Sequence, residues 1–319
     1  MVFVWAIVGL AILLLAGDAL VRGAVNLALR LGIPALIVSL TVVAFGTSAP
    51  ELLISVGAVL DGVPGIALGN VVGSNTANIL LVLGVPALIS GISMKDCETR
   101  KSFVTMLGGT LLFIGLCFAG PLTWWHGLVL LAALALVLGD QLREGLASRN
   151  GARKEPVEDL VEDLEGADPA LSGWKIAAYL VVGLVGLPLG AQILIGSATE
   201  IAKMFGLSDA VIGLTLVAIG TSLPELATTV IAAIRRQADV ALGNVIGSNL
   251  FNLLAIMGIT AIVGPIPVGR EFLALDLWVM LGASLLLIPF VFRRWYMGRI
   301  WGVIFCAAYG VYLARLVMT

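Results

Sequence analysis

The first charged side chain in this chain is Asp18, and the stretch before it, VFVWAIVGLAILLLAG, is apolar from end to end. Runs of this kind recur to the carboxyl terminus, most of them of the length, about 20 residues, that an α-helix needs to cross a bilayer. A backbone in hydrocarbon must satisfy its own hydrogen bonds, and continuous apolar runs, unlike the alternating ten-residue segments of a barrel, do so only as helices. With 60% hydrophobic and 12% charged residues, there is too much apolar surface for any soluble domain to hide. The expected fold class is therefore all-α integral membrane. The first run lacks a basic n-region and a small-residue cleavage site, so it reads as a retained helix rather than a signal peptide.

Polar and glycine-proline punctuation predicts ten transmembrane helices, over 3–29, 34–60, 64–90, 101–119, 122–146, 172–203, 208–234, 238–263, 272–292 and 297–317. Most Lys and Arg fall in loops on one side, including Arg30, Lys95, Arg100, Lys101, Arg143, Arg149, Arg153, Lys154, Lys175, Arg235, Arg236, Arg293, Arg294 and Arg299, against Lys203, Arg270 and Arg315 on the other. Positive residues mark the cytoplasmic side, so both termini are expected outside a multi-pass protein of the cell membrane, with the acidic 147–171 loop inside. That loop, EPVEDLVEDLEGADP at its centre, reads as a solvated linker.

The chain also repeats itself. Residues 41–84 and 215–258 align without a gap at an offset of 174 and are identical at 22 of 44 positions. Such a match is an internal duplication, dividing the chain into a first five-helix repeat (1–146), the loop (147–171) and a second repeat (172–319). Five spans per half is odd, so the copies enter the membrane from opposite sides. Inverted repeats point to an alternating-access transporter with its site at the midplane between the halves.

Two motifs carry the duplication. GTSAPE (46–51) and GTSLPE (220–225) each set a proline four residues after a glycine, which removes one helical hydrogen bond and is expected to open the helix at Gly46 and Gly220. Proline kinks and hydroxyls also serve plain helix packing, but the glutamates do not fit that reading. A carboxylate at mid-span costs about 2.5–3.5 kcal/mol on insertion scales, and no basic residue lies in these spans beyond Arg235 and Arg236 at one end. If Glu51 and Glu225 meet across the pseudo-twofold axis at roughly 6 Å, they repel by about 3 kcal/mol at an effective dielectric near 20, so a proton or a metal cation must sit between them.

The second motif, GNVVGSNTAN (69–78) and GNVIGSNLFN (243–252), supplies oxygens from Ser74, Asn75, Asn78, Ser248, Asn249 and Asn252. Its glycines, Gly69, Gly73, Gly243 and Gly247, serve close helix packing equally well. An all-oxygen set with two carboxylates and no sulfur or imidazole selects hard cations, Ca²⁺ over Mg²⁺ where the site is flexible, and Na⁺ can use the same oxygens. Cys97, Cys117 and Cys306 lack the spacing of a disulfide framework or zinc site, and His126 follows two tryptophans as in an interfacial belt. No enzyme signature such as HExxH or GxSxG appears. Nothing calls for a cofactor, nucleic acid or an obligate protein partner; the expected partners are inorganic cations and the lipid bilayer.

These paired motifs resemble the alpha-repeats of the sodium/calcium exchanger family, within the calcium/cation antiporter superfamily, over nearly the whole chain. The resemblance implies spans 2, 3, 7 and 8 around the ions, and spans 1 and 6 sliding as a gating pair. It implies calcium ligands at Glu51 and Glu225 with backbone oxygens of Thr47 and Thr221. Sodium sites would use Ala218, Thr221, Ser222, Glu225 and Ser248, and Ala44, Thr47, Ser48, Glu51 and Ser74, with Asn78 and Asn252 completing the centre. Microbial relatives often carry aspartate where this chain has Asn252, which removes a titratable group there. The expected activity is antiport of Na⁺ against Ca²⁺; the alternatives are a proton-coupled cation antiporter and, less in keeping with inverted repeats, a cation channel.

Overall fold

A computed structural model describes residues 1–95, 97–152, 168, 170–204 and 220–318. Among them the structure is helical, with two isolated backbone bridges and no strand. The helices are α1 (Val2–Leu31), α2 in two segments (Ala35–Thr47 and Ala49–Leu60), α3 (Pro64–Ile89), α4 (Arg100–Phe118), α5 (Trp124–Ala152), α6 (Gly173–Met204), α7 (Leu223–Ile234), α8 (Ala238–Val263), α9 (Phe272–Arg293) and α10 (Arg299–Met318). Eight are long and apolar enough to cross a membrane, and the two segments of α2, bent by 43°, make a ninth span. The seventh predicted span is seen only as the twelve-residue α7, because 205–219 lie outside the described residues, as do 153–167 and 169 of the 147–171 loop.

The duplication is visible as reciprocal contacts. A Cβ on Gly9 of α1 would lie 2.7 Å from the Leu194 nitrogen of α6, and one on Gly183 of α6 would lie 2.5 Å from Leu20 of α1. These contacts exchange under the offset of 174, and they run in opposite directions along the two helices. Equivalent helices are thus antiparallel, the arrangement an inverted repeat requires. The antiparallel backbone bridges are reciprocal to within one residue: Ile92 pairs with Met297, and its equivalent Ile266 with Leu122, next to the exact counterpart Thr123.

α3 and α8 form the centre. Their apolar windows are 72% and 89% buried, against 22% for α5, α6 and α10, whose Leu, Val and Ile side chains face outward. Small residues let the central helices be approached closely. A Cβ on Gly247 would come within 2.6 Å of the Ala44 Cβ, and one on Gly243 within 2.7 Å of the Ser39 Cβ, so the packing reading of these two glycines holds for α8 against α2. Both central helices loosen into a π-helical turn at the end of the repeated motif, at Asn78–Val82 and Phe251–Ile256. His126 departs from the interfacial expectation: Trp124 and Trp125 are exposed, but the imidazole is buried and its Nδ1 accepts the Thr123 N–H at 3.0 Å, closing the first turn of α5. Cys97, Cys117 and Cys306 form no disulfide with one another.

Candidate functional site

The site is built where α2 breaks. The interruption falls at Ser48 (φ −85°, ψ 4°), two residues after the expected Gly46, and the second half repeats it at Ser222 (φ −85°, ψ 5°). Proline accounts for the shift, because in the first turn of a helix its missing N–H would be unpaired anyway. The chain therefore restarts as a helix just before Pro50 and Pro224. The Gly46 carbonyl, expected to be released, is instead met by a backbone N–H of the cap. What the break does provide is position: Glu51 and Glu225 lie in the first turns of new helices, whose positive ends favour carboxylates even at membrane depth.

Both glutamates are buried, 1% and 0% exposed, and their carboxyl groups are within electrostatic reach of each other. Ser48 of the first repeat donates its Oγ hydrogen to Glu225 Oε1 at 3.2 Å. The equivalent contact from Ser222 to Glu51 is not made, and Ser222 Oγ has no partner among the described residues. The hydroxyls of Thr47 and Ser248 stand 3.4 Å apart, and those of Ser74 and Thr221 stand 3.5 Å apart, a pair of contacts that exchange under the repeat. Ala44 is fully buried in the same wall. Ala218 lies outside the described residues. Every other predicted site residue is brought into this one buried region.

Two further layers were not anticipated. Asn70 donates to the Glu51 carbonyl at 3.2 Å and to Ser55 Oγ at 3.0 Å, while Asn244 donates to the Glu225 carbonyl at 3.3 Å and to Thr229 Oγ1 at 3.0 Å. These asparagines fix the backbone of each glutamate to α3 and α8. Beside them, four amides close a ring: Asn78 Nδ2 donates to Asn249 Oδ1 and Asn252 Nδ2 to Asn75 Oδ1, each at 3.0 Å. Asn75 and Asn249 each donate in turn to the other's backbone carbonyl, at 3.3 and 3.4 Å. Because the ring consumes the N–H groups of Asn78 and Asn252, their carbonyl oxygens are the atoms left over. The signal for these roles was the constant offset between Asn70 and Asn244, which marks the residues without saying what they touch.

Glu51 Oε1 and Oε2, Glu225 Oε2, Asn78 Oδ1, Asn252 Oδ1 and Ser222 Oγ are buried with no hydrogen-bond partner among the described residues. Buried polar atoms are nearly always paired, so several oxygens in one region with no protein donor can be met by a proton, a water or a cation. Among the described residues no cluster of three or more His, Cys, Asp or Glu exists. The donor set is thus two carboxylates and neutral oxygens, which suits a hard cation that must also leave.

An all-helical membrane fold of antiparallel repeats around a buried carboxylate pair defines a cation-handling transporter class, and comparison with known proteins gives the family. Residues 1–142 and 175–318 match the family described as sodium/calcium exchanger protein, and the chain belongs to it. It is 37% identical to the putative antiporter CaxA of Alkalimonas amylolytica over 93% of this chain and 92% of that one. It is 32% identical to the sodium/calcium exchanger MaX1 of Methanosarcina acetivorans over 98% of each. The solved structure of the sodium-calcium exchanger NCX_Mj superposes with a TM-score of 0.82 at 31% identity, covering 99% of this chain and 98% of that one.

Proposed function

We propose that this chain is a secondary antiporter exchanging Na⁺ for Ca²⁺ by alternating access at the Glu51–Glu225 site. The observation that carries the reading is the group of unpaired buried oxygens around two carboxylates. Each half of the duplication contributes to it. Two carboxylates neutralise one divalent ion, and Glu51 and Glu225, with backbone oxygens of Thr47 and Thr221, are assigned to Ca²⁺. Na⁺ takes the flanking positions at Ala218, Thr221, Ser222, Glu225 and Ser248, and at Ala44, Thr47, Ser48, Glu51 and Ser74, with Asn78 and Asn252 at the centre.

The empty pair of like charges resists crossing the membrane, while either loaded state is close to neutral; that difference couples the two ions without any enzymatic step. Asn252 weighs against proton coupling at the centre, because an amide supplies the same oxygen without titrating. Residues 1–146 and 172–319 are taken as the two repeats around the 147–171 loop, in the cell membrane with the loop cytoplasmic and the termini outside.

Thermal unfolding of the purified protein in detergent, titrated with CaCl₂ and NaCl, tests the shared site. Stabilisation by each ion alone, with Na⁺ raising the Ca²⁺ midpoint competitively, is expected. Additive stabilisation by the two ions would contradict a common carboxylate pair.

A further inference from the structure

The repeats are alike in sequence but not in how α1 and α6 lie on them. α1 runs along α7, where a Cβ on Gly17 would stand 3.2 Å from the Ala227 carbonyl and Ala227 is 7% exposed. The equivalent stretch of α2, Ala49–Leu60, is not covered in this way, and Leu53, the counterpart of Ala227, is 75% exposed. The covered flank carries an ion triad. Arg235, at the end of α7, donates through Nε to Asp18 Oδ1 at 2.6 Å and also contacts it through Nη2, while Arg22 Nε stands 2.9 Å from Asp18 Oδ2. Asp18 and Arg22, four residues apart on α1, are thus joined by a third residue from another helix.

The repeat supplies an internal control. At the offset of 174, Asp18 corresponds to Gln192, Arg22 to Gly196 and Arg235 to Asp61. Gln192 and Asp61 are exposed and cannot form an ion pair. We propose that Asp18 and Arg235 are gating residues that latch α1 onto α7. With no counterpart on the opposite flank, the latch biases the transporter toward the conformation closed along α7. This rests on the alternating-access reading of the site. The pair does not touch the carboxylates; it acts by holding α1 on α7, the helix that carries Glu225.

The test is hydrogen exchange of the full-length protein in detergent without Ca²⁺, comparing wild type, Asp18→Asn, Arg22→Gln and the double variant Gln192→Asp/Asp61→Arg. For a partly exposed pair, Asp18→Asn is expected to shift the conformational ratio by about threefold. Protection should fall over 223–234 and rise over 49–60. Arg22→Gln should leave both unchanged, and the double variant, which installs the missing pair, should also raise protection over 49–60. A merely structural role would lower protection on both flanks or neither, and that result overturns the proposal. If Asp18→Asn does not fold, the double variant decides alone: no gain over 49–60 refutes the latch. Na⁺-driven Ca²⁺ uptake by the wild type, measured in parallel, separates failure of the exchange reading from failure of the latch.

Discussion

Replacing Asn75 by alanine isolates what the asparagine ring does. Asn75 is 1% exposed; it accepts from Asn252 Nδ2 at 3.0 Å and donates to the Asn249 carbonyl at 3.3 Å. Two buried hydrogen bonds are lost at about 1 kcal/mol each, and the stranded Asn252 amide adds roughly 1 kcal/mol more, so stability should fall by about 2–3 kcal/mol. The functional effect has a different origin. Once Asn252 Nδ2 has no acceptor, the amide can turn over and present N–H where an oxygen faced the cation. An N–H dipole turned toward the carboxylate pair in place of an oxygen is expected to weaken Ca²⁺ binding about tenfold, equivalent to about 1.4 kcal/mol. Asn249→Ala should do the same through Asn78. Scintillation proximity binding of ⁴⁵Ca²⁺ measures affinity, and thermal unfolding measures stability. A destabilised variant with Ca²⁺ affinity within twofold of wild type would refute the orienting role and leave the ring as scaffold.

Three other substitutions probe neighbouring parts of the site. Ser48→Ala removes the hydroxyl that donates to Glu225 Oε1 and should weaken Ca²⁺ binding about threefold to tenfold, whereas Ser222→Ala, which breaks no bond among the described residues, should have the smaller effect in the same binding assay. Gly247→Val places a branched side chain where even a Cβ would meet the Ala44 Cβ and Leu40 carbonyl at 2.6 Å, and should lower stability by about 3 kcal/mol or prevent assembly, read by size-exclusion profile and melting temperature. Asn252→Asp restores a titratable group beside the carboxylate pair. Its transport should fall as pH is lowered, by protonation, more steeply than that of wild type in flux measurements between pH 8 and pH 6.

Much of this architecture can be read before any coordinates, for a physical reason. Bilayer thickness sets helix length, so the ends of α3 (Pro64–Ile89) and α8 (Ala238–Val263) fall within a residue of the apolar runs that predict them. Internal duplication then does the work of a second observation: Glu51 with Glu225, and Asn78 with Asn252, are marked as pairs by the offset alone. Contacts between helices are less legible. Nothing in the spacing tells that Arg235 reaches Asp18, that Asn75 pairs with Asn249, or that Ser48 rather than Ser222 finds a glutamate, because these follow from how helices dock. The break at Ser48 instead of Gly46 is a local matter, in which proline's tolerance for a first helical turn outweighs its power to disrupt the preceding one.

The most direct test of the shared carboxylate site is ⁴⁵Ca²⁺ uptake into proteoliposomes loaded with Na⁺ and diluted into Na⁺-free buffer, beside a pH gradient without Na⁺ and a Glu51→Gln control. Uptake driven by the Na⁺ gradient and abolished in Glu51→Gln is the predicted result. Uptake driven only by the pH gradient, or Na⁺-driven uptake that survives the substitution, would contradict exchange at Glu51 and Glu225.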